Sequence, residues 1–369
     1  MRVLETSRCI IKVLTPLHVG CGEAYEPYSF FVDQPKKELV VLNMDAFLTA
    51  LDARTRDEFS RICQEGTVDS LLKMYKFLKR IGERKDIVGK EGVVARRIPV
   101  ATGFVEHYGE VTGGQQFDPR RSTHRQPQQG SNRIITQFIV YRTAFDVNGK
   151  EHPIIPGSSV KGSIRTAVLN MRKDVVKGKR YLKNENKKLE ADILHGSFST
   201  DPFSLVKVSD FVPLGEPKVK IVYGVNVKKG SDRQSRGPYQ ILEVVLEGEF
   251  SGTISLLEPE KDRGIEAPLS LDEIKRALQE FYGKELEREK GELSQIGFNI
   301  NLPSSSPIRI GRHSGAECVT IEGFRKIKIM RGSPPERDHA TTIWVASEER
   351  RSNKLTGCLP FGWCEFQME

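Results

Sequence analysis

Short apolar runs broken by turn residues open the chain. Within Cys9 to Thr15, Ile10, Ile11, Val13 and Leu14 are residues that fit a pleated, half-buried surface, and Pro16 interrupts them, so a strand is expected there. Ser29 to Val32 and Glu38 to Leu42 read as two more strands joined through Asp33-Gln34-Pro35-Lys36. A helix is expected from about Asn43, and Asp52 to Arg84 keeps helical apolar spacing at Leu71, Leu72, Tyr75 and Leu78. From Gly109 to Asn132 the chain is rich in Gly, Gln, Pro, Arg and Ser without a period, the pattern of an insertion outside the core. Order returns in a strand within Ile134 to Phe145, and Pro153 to Ser158 then leads into a helix with Ser158 or Ser159 as its expected N-cap. At about 100° per residue, Val160, Ile164, Ala167, Val168 and Met171 share one arc of that helix, and Lys161, Arg165 and Arg172 align along its border. Further strands are expected at Phe203 to Val212, Val219 to Val227 and within Ile241 to Leu257. An amphipathic helix follows over Leu271 to Arg288, then strands at Val319 to Ile321, Arg325 to Met330, Thr341 to Ala346 and Trp363 to Phe366.

Composition narrows the class. With 369 residues, 38% of them hydrophobic and 29% charged, the chain is long enough for two domains and apolar enough to fill real cores. The longest aliphatic stretches, such as Leu39 to Leu42, fall far short of the roughly 20 residues that cross a bilayer. The first residues carry no apolar core followed by a small-residue cleavage site, and a cytoplasmic protein is expected. Six cysteines form no C-x-x-C pair, and seven histidines form no metal-ligand spacing, so reduced thiols, no metal and no cofactor are expected.

Charge changes the picture more. The formal net charge is +8, which points to a polyanionic partner. It is not spread evenly: Lys161 to Lys188 holds ten basic residues against Asp174 and Glu185, a surplus equal to that of the whole chain. Glu243 to Glu292 is predominantly acidic and is expected to face away from the polyanion.

Four segments join a strand to a glycine turn beside a polar or basic group. They are Thr15-Pro16-Leu17-His18-Val19-Gly20-Cys21-Gly22, the run Ile155 to Arg165 containing Pro156-Gly157-Ser158-Ser159-Val160-Lys161-Gly162, the run Ile308 to Glu317 containing Arg309-Ile310-Gly311-Arg312-His313-Ser314-Gly315, and Leu359-Pro360-Phe361-Gly362-Trp363. Glycine lets a backbone approach a phosphate, a helix N-terminus offers free N–H donors, and Lys or Arg neutralises charge. No segment has G-x-x-x-x-G-K-[ST], and the glycines of the third have the wrong spacing for G-x-G-x-x-G, which disfavours an NTPase or a dinucleotide enzyme.

Taken in order, these segments resemble the RAMP superfamily of CRISPR-associated proteins, with its P-L-H-x-G-x-G strand-turn, P-G-S-S-x-K-G helix start and C-terminal glycine-rich turn. The R-I-G-R-H-S-G-A-E run with the closing P-F-G-W is most similar to the fifth subunits of Csm (type III-A) effector complexes. The resemblance implies an α+β chain of two ferredoxin-like, RRM-related modules with helical and loop insertions. The modules are expected at 1–212, with an insertion around 52–133, and at 213–369. It further implies a non-catalytic subunit that caps the 3′ end of the crRNA in antiviral defence. Its expected partners are crRNA, the other Csm subunits (above all the adjacent backbone RAMP subunit) and nucleases recruited to mature that end.

Carried over by matching position, the expected RNA contacts are His18, Gly20 and Gly22 in the first turn, Gly157, Ser158, Lys161 and Arg165 at the helix, and Arg309, Arg312, His313 and Gly315 in the later turn. For the glycines a purely conformational role is an equal alternative, and for His18 a structural, hydrogen-bonded one. Phe361 to Phe366 partly echoes the RRM aromatic consensus, but Leu359 and Pro360 break it, so a packed closing strand is expected rather than base stacking.

Relatives in the superfamily cleave RNA with a histidine-centred site or a loop aspartate. Here His18, His313 and Lys161 are the groups available for acid–base chemistry. The loop Glu23 to Tyr28 has no aspartate, so no catalytic residue is assigned. A metal-independent CRISPR-RNA endoribonuclease, a RAMP subunit of another type III complex and a purely protein-binding scaffold remain the alternatives.

Overall fold

The computed structural model describes residues 2–113, 138–146, 151–182, 184–230, 239–259, 264–297, 302, 305–329, 336–350 and 357–369. The strand expected at Cys9 runs from Val3 to Val13 and occupies the middle of a sheet. Glu249–Leu257 and Trp363–Met368 flank it, with Val206–Val208 and Val212–Pro213 beyond the first and Pro307–Arg309 beyond the second, every pairing antiparallel. Cys9, Ile11 and Val13 alternate onto one face, as period-two patterning requires, and are buried under the helices Gly157–Arg172 and Leu271–Ser294.

A second sheet has the order Leu359–Pro360, Thr342–Ser347, Lys218–Lys228, Gln240–Glu247, Val140–Thr143, Gly20–Ala24, and its one parallel pairing joins Gln240–Glu247 to Val140–Thr143. A third, smaller sheet joins Phe30–Asp33, Glu38–Leu42 and Val94–Pro99. Against it pack the helices Ala53–Glu65 and Val68–Gly82, whose starts are fixed by the side chains of Asp52 and Thr67 accepting from backbone N–H groups. The fold is α+β, as expected. Among the described residues no helix is long and apolar enough to cross a membrane.

Four expectations change. Both large sheets take strands from either side of 212/213, so that position does not divide the chain into two separately folded halves: Val3–Val13 needs Glu249–Leu257 and Trp363–Met368 to satisfy its two hydrogen-bonding edges. The expected insertion begins inside a helix, Thr102–Gly113, whose Phe104, Tyr108 and Val111 are buried. The remainder of that insertion, 114–132, with Arg120, Arg121 and Arg125, lies outside the described residues, as does Arg133. Phe203 to Val212 is a 3-10 turn, Pro202–Leu205, followed by a three-residue strand, because the Asp201 carboxylate accepts from the Phe203 N–H and Pro202 sets the first turn. The strand expected at Val319 to Ile321 is likewise replaced by a 3-10 turn, Glu317–Val319.

Candidate nucleic-acid interface

Three of the four glycine segments meet at one place, where the two large sheets and the helix Gly157–Arg172 come together. The Gly362 N–H donates to the Pro16 carbonyl at 3.0 Å, the Ile310 N–H to the Gly362 carbonyl at 2.9 Å, and the Arg312 N–H to the His18 carbonyl at 2.8 Å. The Trp363 N–H is taken by Thr15 Oγ1 at 2.9 Å. Gly311 has φ 86°, and a Cβ there would stand 2.5 Å from the His18 carbonyl oxygen, so no other residue fits without moving the first turn.

The fourth segment supplies a wall. Its helix begins at Gly157, where a Cβ would lie 2.4 Å from the Val208 carbonyl oxygen and 2.5 Å from that of Ser209. Neither Ser158 nor Ser159 caps it. The Gly157 N–H instead donates to Asp210 Oδ1 at 2.8 Å, a carboxylate from across the fold that also complements the helix dipole. Ser159, Gly162, Ser163 and Thr166 follow at helical spacing on one face. With Val19, Gly20, Arg309, Gly311, Arg312, Ser314, Tyr282 and Val319 they line an open cleft of about 420 Å³. Hydroxyls, bare backbone and one exposed guanidinium, that of Arg312, are the chemistry that accommodates a sugar–phosphate chain without reading its bases.

The expected contacts divide on inspection. Gly20 and Arg312 are exposed and line the cleft; Gly22 is exposed on the edge strand Gly20–Ala24; Ser158 is exposed at the helix start beside the cleft-lining Ser159. Lys161 and Arg165 point along a different edge of the helix and are engaged by the protein. The Lys161 ammonium donates to the Val206 carbonyl at 2.7 Å, and burial pulls its pKa down. Arg165 bridges Glu190 at 2.9 Å and Asp201 at 2.8 Å and lies over the Phe203 ring. In this fold both cations are held by the protein's own carbonyl and carboxylate oxygens. Gly157 is buried against backbone.

Arg309 is a stronger correction. It is 2% exposed and stacks on Trp363 with its guanidinium 4.8 Å from the ring centre. It donates through Nε to the Phe361 carbonyl at 3.0 Å and pairs with the buried carboxylate of Glu289, whose other oxygen accepts from Trp363 Nε1 at 3.1 Å. Arg309 holds the glycine turns from behind, at the floor of the cleft, with almost none of its surface exposed. Gly315 lies beside it, on the wall of a smaller polar pocket formed with Glu289, Glu292, Glu317 and Lys229.

The two histidines are brought together, His18 sealed inside and His313 on the wall of the smaller pocket. His18 is fully buried, and its Nδ1 lies 2.8 Å from the Glu243 carbonyl, which can only accept, so the proton sits on Nδ1. Burial, with the Arg312 charge adding to it, pushes its pKa down to about 4. His313, with φ 66°, stacks on Trp344 at 4.2 Å between ring centres, and its Nε2 lies 2.8 Å from Gln240 Oε1. Burial first, then Arg312 and His18, lowers its pKa to about 3. His313 is thus half-buried packing rather than an exposed contact.

The acidic stretch does not simply face away. Glu243 is buried and held by Arg96 at 2.9 Å, and Glu285 and Glu289 sit inside the protein on Arg325, Arg288 and Arg309. Sequence reasoning missed the hydroxyl face, Ser159, Ser163 and Thr166, although small residues at spacings of three and four were visible in it. Among the described residues no group of three or more metal-ligating side chains is clustered.

Comparison with known proteins agrees with this geometry. A family model described as the RAMP superfamily matches residues 10–302. The chain is similar to the crystal structure of T. onnurineus Csm5, with a TM-score of 0.54 and 16% identity, over 96% of this chain and 99% of that one. It is also similar to a chain in the cryo-EM structure of a Csm–crRNA–target RNA ternary complex of a type III-A CRISPR-Cas system, with a TM-score of 0.52 and 16% identity, over 98% and 100%. At such identity the likeness is one of fold. No curated protein matches the chain.

Proposed function

The chain belongs to the RAMP superfamily, and from that premise we propose that it is an RNA-binding subunit of a type III-A CRISPR effector, where it holds the 3′ end of the crRNA beside a neighbouring backbone subunit. The observation that carries this reading is the cleft itself: glycine backbone, Ser and Thr hydroxyls and Arg312 converge on one open groove built from the family's motifs. Such a lining contacts sugar and phosphate and is indifferent to sequence, which suits a variable guide. The likeness in fold to a chain of a Csm–crRNA–target RNA complex supports a place in such an effector.

A non-catalytic role is part of the proposal. An acid–base pair for RNA cleavage needs groups that exchange protons near neutrality within reach of the 2′-OH. His18 is buried and His313 half-buried, with pKa values of about 4 and about 3, and both rings are engaged in packing or hydrogen bonding. Purified protein in chelator is therefore expected to leave a repeat-derived RNA intact; discrete cuts that vanish in His18→Ala or His313→Ala would replace this reading with the endoribonuclease one. The decisive experiment is purification of the effector from cells carrying a guide array, with and without this subunit, and sequencing of the bound RNA. Loss of the subunit is expected to change the 3′ ends, and unaltered ends would refute the assignment.

A further inference from the structure

Much of the positive charge lies beyond the cleft. After Arg172 the helix passes into a 3-10 turn, Lys173–Val176, then an irregular segment to Leu182, and soon the helix Asn186–Leu194. The first basic residues of this run are neutralised in place: Arg172 forks onto Glu273, and Lys173 pairs with Glu322. Three of the later ones are not. Lys177, Arg180 and Lys187 are exposed, and their side chains have no partner among the described residues. Lys326 arrives from the loop after Phe324 and donates to the Tyr181 carbonyl at 2.7 Å, a fourth cation held by a carbonyl instead of a carboxylate. The local acids are already engaged: Glu185 accepts from the Leu182 N–H and pairs with Lys188, and Asp192 accepts from the Tyr181 hydroxyl and pairs with Lys179. Between the charges lie the half-exposed Tyr181 and Phe324, edge to face at 5.7 Å, and Leu182, which is 69% exposed.

This strip is joined to the cleft by one helix face. Thr166 and Val319 line the cleft; one turn on, Asn170 binds the Thr320 carbonyl and the Glu322 N–H, and the next turn brings Lys173 to Glu322, which Lys284 also holds. At 1.5 Å per residue the helix end at Arg172, just before the strip, lies about 20 Å from Ser159 along that axis.

We propose that Lys177, Arg180, Lys187 and Lys326, around the Tyr181–Phe324 pair, bind single-stranded RNA leaving the cleft at its Val319 end. The inference rests on the cleft being an RNA site. Lysine is depleted at protein–protein interfaces, whereas unpaired cations flanking apolar and aromatic side chains are what a phosphate chain with unstacked bases uses.

The test uses the full chain and fluorescence anisotropy with two single-stranded RNAs, one of about 4 nucleotides and one of about 12, within the usual span of a sequence-tolerant site. Each lost phosphate contact flattens the log–log salt slope by about 0.7. The variant Lys177→Ser/Arg180→Ser/Lys187→Ser, all at exposed positions, is expected to flatten the slope for the longer RNA by about 2 and to leave the shorter RNA unchanged. An unchanged slope for the longer RNA, or equal losses for both lengths, overturns the inference. Arg312→Ala separates the two readings. If it leaves short-RNA binding intact while the triple variant flattens the long-RNA slope, the cleft reading fails and the strip stands; if wild-type protein binds neither RNA, both fail.

Discussion

Arg309→Met removes a guanidinium from a place where water cannot replace it. Glu289, 3% exposed, would keep the Trp363 indole N–H but lose its counter-charge, and the Phe361 carbonyl would lose the Arg309 Nε donor. Breaking one side of a buried pair costs about 3–5 kcal/mol, mostly because the surviving charge stays desolvated. Unfolding entropy of about 2.1 cal/mol/K per residue over 369 residues makes each degree of Tm worth about 0.8 kcal/mol, so the expected fall is about 4–6 °C. Glu289→Leu alone strands the arginine and should cost a similar amount. Arg309→Met with Glu289→Leu removes both charges, and its loss should be well below the sum of the singles. The assay is thermal unfolding of all four proteins at pH 7.5, with RNA affinity measured across salt. Because Arg309 braces the turn from inside, its loss should weaken RNA binding without changing the salt slope. A fall in Tm under about 1 °C, strict additivity in the cycle, or a flattened slope would each refute this account of Arg309.

Arg312→Ala should do the converse, leaving Tm within about 1 °C and flattening the salt slope for single-stranded RNA by about 0.7, read by anisotropy over a salt series. Gly311→Ala forces a left-handed L residue and a Cβ against the His18 carbonyl, so soluble yield or Tm should fall, whereas the same change at Gly162, where a Cβ meets open space, should leave Tm unchanged or raise it slightly. Lys161→Ala and Arg165→Ala should lower Tm and leave the salt slope for RNA alone, since their partners are the Val206 carbonyl, Glu190 and Asp201. His18, His107 and His313 have folded pKa values of about 4, about 3 and about 3, below the unfolded value of 6.5, so the unfolded chain binds protons first as pH falls. Their stabilisation is intact above about 6.5 and is lost toward 4 at up to about 1.4 kcal/mol per pH unit for each, so Tm should drop steadily between pH 6.5 and 5; a flat profile there would contradict the buried neutral rings.

Local signals in the sequence identified most elements because the evidence for them lies within each segment. Glu38 to Leu42 and Val219 to Val227 form strands nearly as patterned, and the apolar arc through Val160, Ile164, Ala167 and Val168 is the buried face of its helix. The four glycine motifs also come together around one cleft. What a helix border faces was not legible: Lys161 and Arg165 meet groups 25 to 45 residues away, and Arg309 meets Glu289 across the fold. A charge on a helical wheel reads the same whether its partner is solvent, phosphate or a carboxylate. The N-cap failed for the same reason, since Asp210, 53 residues downstream, outcompetes the serines beside the helix start. The two-module boundary failed because strand pairing is set by edges that sequence order does not reveal.

The closing strand Trp363–Met368 lies between Pro307–Arg309 and the opening strand, with Cys9 opposite Met368. As the chain leaves the ribosome, Val3–Val13 must therefore wait, with one hydrogen-bonding edge unmet, until nearly 360 further residues have been made. The small sheet of Phe30–Asp33, Glu38–Leu42 and Val94–Pro99 packs one face on the nearby helices Ala53–Glu65 and Val68–Gly82, whereas its other face and the helix Thr102–Gly113 pack against strands from Lys218 onward and must wait as well. A nascent chain with an exposed strand edge is prone to pair with another copy of itself, and the cleft, assembled from residues 15–20, 157–166, 309–315 and 360–363, exists only once residue 363 has been made.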